Sequence, residues 1–120
     1  MNKKILIVLL ADKSGHGNMA RALHALLYAK QIKAKGGEVE LIFDGGGTEW
    51  AAEFPKNEHF KKMYQELLDT GVVKGVCSFC AGAFSVKDEL EMLKVEFLSE
   101  DNGHPDIGAR MMNGWETLII

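Results

Sequence analysis

The sequence predicts one α/β domain over residues 1–120, built on a parallel sheet of five strands with helices on both faces. Two observations predict this fold class. Short apolar runs alternate along the chain with amphipathic stretches at helical spacing, which favours right-handed crossovers between parallel strands. The first apolar run, 5–11, is apolar at every position, as expected for a strand buried on both faces.

The first predicted helix follows a polar, glycine-containing loop at 12–17. Asn18 is a suitable N-cap, and the helix is expected to run to about Lys35 with its apolar side chains on one face. Gly36 and Gly37 then supply the C-terminal stop.

The later elements carry boundary signals of their own. Pro55 ends a short helix, Gly71 ends a longer one, and Ser85 with Asp88 resembles a capping box. The predicted elements after the first helix are, in chain order, a strand at 39–43, a flexible turn at 44–50, a short helix to residue 54, a helix at 58–70, a strand at 72–76, a helical turn at 78–83, a helix at 85–93, a strand at 95–98, a helix at 106–113 and a strand at 116–120.

Composition and charge narrow the functional classes. The net charge is −3, and 47% of the residues are hydrophobic and 26% charged, as in ordinary globular proteins. Without a basic stripe we expect no nucleic-acid partner. The apolar run near the start is too short for a membrane span, and no cleavage pattern follows it, so we expect no membrane partner and a cytoplasmic protein. Cytoplasmic thiols stay reduced, which favours a catalytic, redox-active or metal-binding role for two nearby cysteines.

Polar and reactive side chains accumulate where the predicted strands end. Ligands bind outside the carboxyl ends of strands in an open parallel sheet, so we expect a site there. The residues at this edge are Asp12, Ser14, His16 and Asn18 after the first strand, Asp44, Thr48, Glu49 and Trp50 after the second, Cys77 and Cys80 after the third, and 99–102 with His104 after the fourth.

The two cysteines form a CxxC between a strand and a helical stretch. Cys77 is the better candidate nucleophile, because the N–H groups and the helix dipole that follow it favour a negative sulfur. Cys80, one turn later, is a candidate resolving thiol or metal ligand. His16 and His104 are candidate proton carriers, and with the CxxC the pair could complete a Cys2His2 zinc site assembled by the fold. A zinc or iron site built from Cys77, Cys80 and one histidine is a further hypothesis. Thioredoxin-like chemistry is disfavoured because neither proline, Pro55 or Pro105, occupies the place of a proline loop that faces the sulfurs.

A binding role is the alternative to sulfur chemistry. The segment 15–20 has the form G-x-G-x-x-A, and the adjoining side chains of Ser14, Asn18, Asp44 and Thr48 are candidate ligand-binding residues for a small ligand, a nucleotide or flavin mononucleotide. Turn geometry is the favoured explanation of the glycines. Phe79, Phe84 and Trp50 are expected beside the site, where they are candidates for covering it or for forming a subunit contact.

The arrangement resembles the DsrE/DsrF-like family over nearly the whole chain. The resemblance is carried by the opening strand at 5–9, the long first helix, the loop at 44–48 and above all the junction 76–83, which reads Val-Cys-Ser-Phe-Cys-Ala-Gly-Ala. It implies a three-layer α/β/α sandwich with a five-stranded, mainly parallel sheet. It also implies homo- or hetero-oligomers, often trimers or hexamers, in which Cys77 carries sulfur as a persulfide, with Cys80 matching the CxxC variants.

The leading hypothesis from the sequence is a sulfur-handling protein. Cys77 would accept sulfane sulfur from a donor and pass it to a partner thiol, with His16 or His104 assisting proton transfer. This chemistry requires no cofactor. A sulfur donor or acceptor protein and copies of the same chain are the expected partners.

Overall fold

The computed structural model describes residues 3–120, in which five parallel strands form one sheet. The strands are β1 (Lys4–Leu9), β2 (Glu38–Phe43), β3 (Val73–Cys77), β4 (Phe97–Leu98) and β5 (Glu116–Ile119). The helices are α1 (Gly15–Ala34), α2 (Thr48–Glu53), α3 (Lys61–Asp69), α4 (Ser78–Ala83), α5 (Lys87–Met92) and α6 (Ile107–Met112). Short 3₁₀ turns at Gly45–Gly47 and Phe54–Lys56 flank α2. With helices on both faces of the sheet, the predicted α/β/α sandwich is confirmed.

The larger core lies between the sheet and the first five helices. The buried residues of α1 are Ala22, Ala25, Leu26 and Ala29, which are spaced at three, four and seven residues and therefore lie on one face. From α3, Tyr64 and Leu67 enter the same core. Small side chains on α1 let this long helix lie close against the strands.

The opposite face of the sheet carries a much smaller core. Its buried members are Leu6, Val8, Ile42 and Leu98, and the partly buried residues packed on them are Ile107 and Trp115. Ile107 belongs to α6, and Trp115 follows that helix. The connection from β4 to β5 therefore supplies the cover for this face.

The strand order β4-β3-β2-β1-β5 determines which loops are neighbours. Strand β3 lies between β2 and β4, with Val76 paired to Phe43 on one side and Cys77 paired to Leu98 on the other. The loops after β2 and β4 therefore flank the end of β3. The loop after β1 is one strand farther away.

Two predicted helix caps are wrong. Helix α1 begins at Gly15, and the Asn18 side chain donates instead to a carboxylate oxygen of Asp12, at 2.9 Å. Ser85 has a positive φ of 61°, and α5 begins at Lys87 without a side-chain cap. In both cases tertiary contacts or the backbone conformation override a local signal.

The predicted flexible turn at 44–50 is also wrong. It consists of the 3₁₀ turn Gly45–Gly47 and the start of α2, fixed by hydrogen bonds from Asp44 N to Leu9 O at 3.0 Å and from Thr48 Oγ1 to Gly45 O at 2.9 Å. A Cβ atom on Gly47 would overlap the Leu9 carbonyl. This glycine allows two backbone segments to touch.

Helices suited by length and hydropathy to crossing a membrane are absent from residues 3–120.

Candidate functional site

Cys77 is both the last residue of β3 and the N-cap of α4. Its extended backbone, with φ −63° and ψ 119°, turns the chain from strand into helix, and its Sγ accepts a hydrogen bond from the Cys80 N–H at 3.4 Å. The side chain is buried, with 0% exposure. The sulfur therefore occupies the position of a helix-capping oxygen, shielded from solvent.

The loop after β4 brings His104 onto this sulfur. A short antiparallel bridge joins Asp101 to His104, and Asn102 and Gly103 between them have positive φ angles of 51° and 90°. This tight turn places His104 Nδ1 at 3.3 Å from Cys77 Sγ. The surroundings of the buried thiol are thus polar on the side of the β4 loop.

The turn is fixed against α4 by two contacts. The Phe79 N–H donates to the Gly103 carbonyl at 2.8 Å, and the Phe79 ring lies 4.9 Å from the His104 ring. Cys77 Sγ is 3.8 Å from the same carbonyl. Gly103 was not predicted from the sequence, although its place in a turn directly after the fourth strand was the available signal.

The loop after β2 supplies the other side of the site. Asp44 Oδ1 lies 3.7 Å from Cys80 Sγ and also accepts the Gly45 N–H at 2.9 Å. Cys80 is half-buried, and both cysteines are free thiols. Asp44 was predicted as a ligand-binding residue, and the structure places it in contact with the CxxC.

Burial raises the pKa of the Cys77 thiol to about 12. The Cys80 N–H lowers this pKa, as the sequence suggested for the residues after the strand, whereas the negative charge of Asp44 raises it further. Desolvation outweighs the stabilising hydrogen bond. The predicted stabilisation by an N–H group is present, but burial keeps it from making Cys77 an acidic thiol.

The remaining predicted residues lie apart from this cluster. Asp12 Oδ1 accepts hydrogen bonds from Ser14 Oγ at 2.5 Å and from Asn18 Nδ2 at 2.9 Å, so these side chains bond to one another where the loop enters α1. Thr48 is buried and bonded to the Gly45 carbonyl. His16 is an exposed residue in the first turn of α1 and does not belong to the group formed by the two cysteines and His104.

The geometry of the two glycine loops gives no support to a phosphate cradle. The hydrogen bonds from Ser14 and Asn18 lower the pKa of Asp12, so an anionic carboxylate stands where a phosphate would bind. Gly46 is buried, and a Cβ there would come within 2.6 Å of the Asp12 Cβ.

Aromatic side chains divide between core and surface. Trp50, one of the candidates for covering the site, is in the core and donates its Nε1–H to the Asp12 carbonyl at 2.9 Å. Phe79 is 60% exposed beside His104, and Phe84 is exposed at the end of α4. One large apolar side chain therefore borders the site on the solvent side.

Three soft or borderline donors converge at this point. One ligand atom each from Cys77, Cys80 and His104 lies within 4.8 Å of the other two. This spacing is compatible with thiol and persulfide exchange between the sulfurs, with proton transfer to the imidazole, and with ligation of one metal ion.

Comparison with known proteins assigns the family. The model of the DsrE/DsrF-like family matches residues 3–102, a span that contains Asp44, Cys77 and Cys80 and stops just before His104. The chain belongs to the DsrE/DsrF-like family.

Two further proteins resemble this DsrE/DsrF-like chain. An uncharacterized protein of Methanocaldococcus jannaschii is 37% identical over 105 residues, which cover 86% of this chain and 83% of that protein. A conserved protein of unknown function from Bacteroides thetaiotaomicron has a similar structure, with a TM-score of 0.63, 18% identity and coverage of 96% of this chain and 94% of that one. The second likeness concerns the fold.

Proposed function

We propose that this DsrE/DsrF-like protein handles sulfane sulfur and that Cys77 carries it as a persulfide. The observation that supports the proposal is the contact between Cys77 Sγ and His104 Nδ1 at 3.3 Å, beside a second thiol, at the carboxyl edge of the sheet. Family membership supports sulfur chemistry in general, and the position of Cys77 after the third strand matches the residue implied by the resemblance.

The first step is a proton transfer. A buried thiol with a raised pKa is a poor nucleophile on its own, so His104 Nδ1 accepts the proton of Cys77 Sγ as the reaction begins. The imidazolium that forms then balances the charge of the thiolate, and the Cys80 N–H donates to the same sulfur.

The second step moves one sulfur atom. The Cys77 thiolate attacks the outer sulfur of a donor persulfide, R–S–SH, and a new S–S bond forms on Cys77. The donor S–S bond breaks, its electron pair leaves with R–S⁻, and the proton held by His104 neutralises that thiolate. No oxidant or reductant is consumed, and the reverse sequence delivers the sulfur to an acceptor thiol.

The persulfide on Cys77 then has two fates. It stays on Cys77 until an acceptor protein takes the sulfur, or the Cys80 thiolate attacks Cys77 Sγ, which forms a Cys77–Cys80 disulfide and releases HS⁻. The added sulfur lies about 2 Å beyond Cys77 Sγ. The reactive outer sulfur of the persulfide therefore lies farther from the Cys77 backbone than the thiol does.

Persulfide trapping tests this proposal. The reduced protein is treated with a low-molecular-weight persulfide, alkylated, digested and mapped by mass spectrometry. Cys77 and Cys80 fall on one tryptic peptide, so the adduct is located by fragmentation of that peptide. We expect the persulfide on Cys77, and at least about ten-fold less adduct at position 77 in Cys77→Ser, because a serine hydroxyl has negligible nucleophilicity here. Cys80→Ser should keep the adduct and lose the release of HS⁻.

The matched control is His59→Gln. His59 lies on an exposed turn and is distant in sequence from Cys77, Cys80 and His104. The variant should give the same amount of adduct and of released HS⁻ as the wild-type protein. Adduct retained at the unchanged level in Cys77→Ser, or mapped to Cys80 alone, contradicts the role of Cys77.

Association with other chains stays a prediction. The resemblance favours a homo-oligomer, with a trimer or hexamer expected, and a sulfur relay requires a donor or acceptor protein. A cytoplasmic location likewise stays an expectation from the sequence.

A further inference from the structure

We propose that Cys77, Cys80 and His104 bind one zinc ion, leaving a fourth coordination position that Asp44 borders. This inference goes beyond the sulfur chemistry and does not depend on it. It starts from the convergence of three ligand atoms from β3, α4 and the β4 loop within 4.8 Å of one another.

The spacing fits a tetrahedral ion. Bonds of 2.3 Å to sulfur and 2.0–2.1 Å to nitrogen place neighbouring sulfur and nitrogen ligands about 3.6 Å apart and two sulfurs about 3.8 Å apart. Cys77 Sγ and His104 Nδ1 are 3.3 Å apart, and no pair in the group exceeds 4.8 Å. Shifts of about 1 Å or less at the ends of the side chains would therefore complete the geometry.

The donor set selects the ion. Two thiolates and one imidazole suit zinc, whereas calcium and magnesium require oxygen ligands. Two thiolate charges and a divalent cation also sum to zero, so the buried Cys77 would carry no uncompensated charge in the bound state. Binding releases the two thiol protons to solvent.

Asp44 is placed to influence the fourth position. Its Oδ1 lies 3.7 Å from Cys80 Sγ but is not one of the three ligand atoms that lie within 4.8 Å of one another, so Asp44 is a neighbour of the site and not a fourth ligand. The Gly45 N–H holds the same oxygen in place. We therefore assign Asp44 to the water molecule or substrate that completes the coordination, as acceptor of its proton.

Zinc and a persulfide compete for one atom. Both use Cys77 Sγ, so the zinc-bound protein cannot accept sulfane sulfur at that residue. Failure of either proposal is recognised separately, because zinc binding is measured with the metal alone and persulfide formation with a sulfur donor in metal-free buffer.

The test is a titration of the reduced, metal-free protein with Zn²⁺ in competition with a chromogenic chelator, and a parallel titration with Co²⁺ as a spectroscopic probe. We expect one ion per chain and a thiolate-to-cobalt charge-transfer absorption with the ligand-field intensity of a tetrahedral site. Asp44→Asn should weaken zinc binding by about 10- to 100-fold, the usual cost of losing a residue that contacts a metal ligand without binding the metal. Cys80→Ser and His104→Ala each remove a ligand and should weaken zinc binding by more than about 100-fold.

His59→Gln is again the control and should bind as the unchanged protein does. Cys80 and His104 are half-buried, so their variants keep the test usable if Cys77→Ser fails to fold. The proposal is overturned by the absence of competition with the chelator, by a cobalt spectrum without thiolate charge transfer, or by unchanged affinity in Cys80→Ser and His104→Ala.

Discussion

Cys77 and Cys80 are three residues apart in sequence and occupy different environments. Cys77 is fully buried beside His104, whereas Cys80 is half-buried beside Asp44. The turn from strand into helix causes this difference, since it points the capping residue inward and carries Cys80 one helical turn onward. The two thiols should therefore differ in their reactivity toward external reagents.

Alkylation of the native protein should distinguish the two thiols. In the reduced, metal-free protein at neutral pH, iodoacetamide should modify Cys80 at least about ten times faster than Cys77, because burial blocks access to Cys77 and raises its pKa. Peptide mapping over time measures both rates. The control is the protein unfolded in urea, where the two rates should converge, and equal rates in the folded protein would show that Cys77 is accessible.

The residue types at the site were predictable, and their grouping was not. The sequence placed Cys77, His16 and His104 at one edge of the sheet, and nothing local distinguishes the two histidines. The strand order makes the distinction, since the loop carrying His104 follows a neighbour of β3 and the loop carrying His16 follows a strand farther away. That order depends on long-range pairing and cannot be obtained from the pattern of one chain.

At the scale of elements, the glycine run after β2 illustrates how the same residues support two interpretations. A glycine-rich loop after a strand is typical of phosphate binding and also of close backbone packing. Gly47 is buried against the Leu9 carbonyl, and the turn it belongs to fixes Asp44 beside Cys80. The sequence predicted the turn, whereas its packing against the end of β1 is a contact between segments distant in the chain, which no local pattern predicts.

Gly47→Ala should therefore destabilise the fold. The added methyl group would overlap the Leu9 carbonyl, and separating β1 from the turn should lower the free energy of unfolding by at least about 3 kcal/mol, the upper range for overpacking. Urea unfolding followed by circular dichroism measures the change.

Gly82→Ala is the matched control for this substitution. Gly82 lies in α4, is exposed, and has nothing within 4 Å of the position of a Cβ, so alanine should leave stability unchanged or raise it by up to about 1 kcal/mol. If Gly47→Ala and Gly82→Ala have similar midpoints, the packing role assigned to Gly47 is wrong.

At the scale of the whole molecule, the two faces of the sheet are unequal. The first four strands follow one another across the sheet, and their connecting helices cover one face, whereas the return from β4 to β5 provides only α6, of six residues, on the other. The alternating pattern of the sequence predicted helices on both faces. It could not predict this imbalance, because the imbalance depends on where the chain reverses direction across the sheet.

The thinly covered face is linked to the candidate site through the register of the strands. Leu98 belongs to the small core with Trp115, and it is also the residue paired with Cys77. Trp115→Ala should lower the free energy of unfolding by about 2–3 kcal/mol, less than for a fully buried tryptophan because Trp115 is only partly buried. The same variant should speed the alkylation of Cys77 more than that of Cys80, since loosening Leu98 loosens the wall beside the buried sulfur.

Met112→Ser provides the comparison for this prediction, because Met112 is on α6 and 88% exposed. It should leave both the urea midpoint and the alkylation rates close to those of the unchanged protein. A loss of stability in Trp115→Ala without faster alkylation of Cys77 would mean that the cover of the second face and the protection of the thiol are independent. Faster alkylation in step with the loss of stability would mean that α6 and the residue after it hold β4 against β3, and so keep His104 on the sulfur.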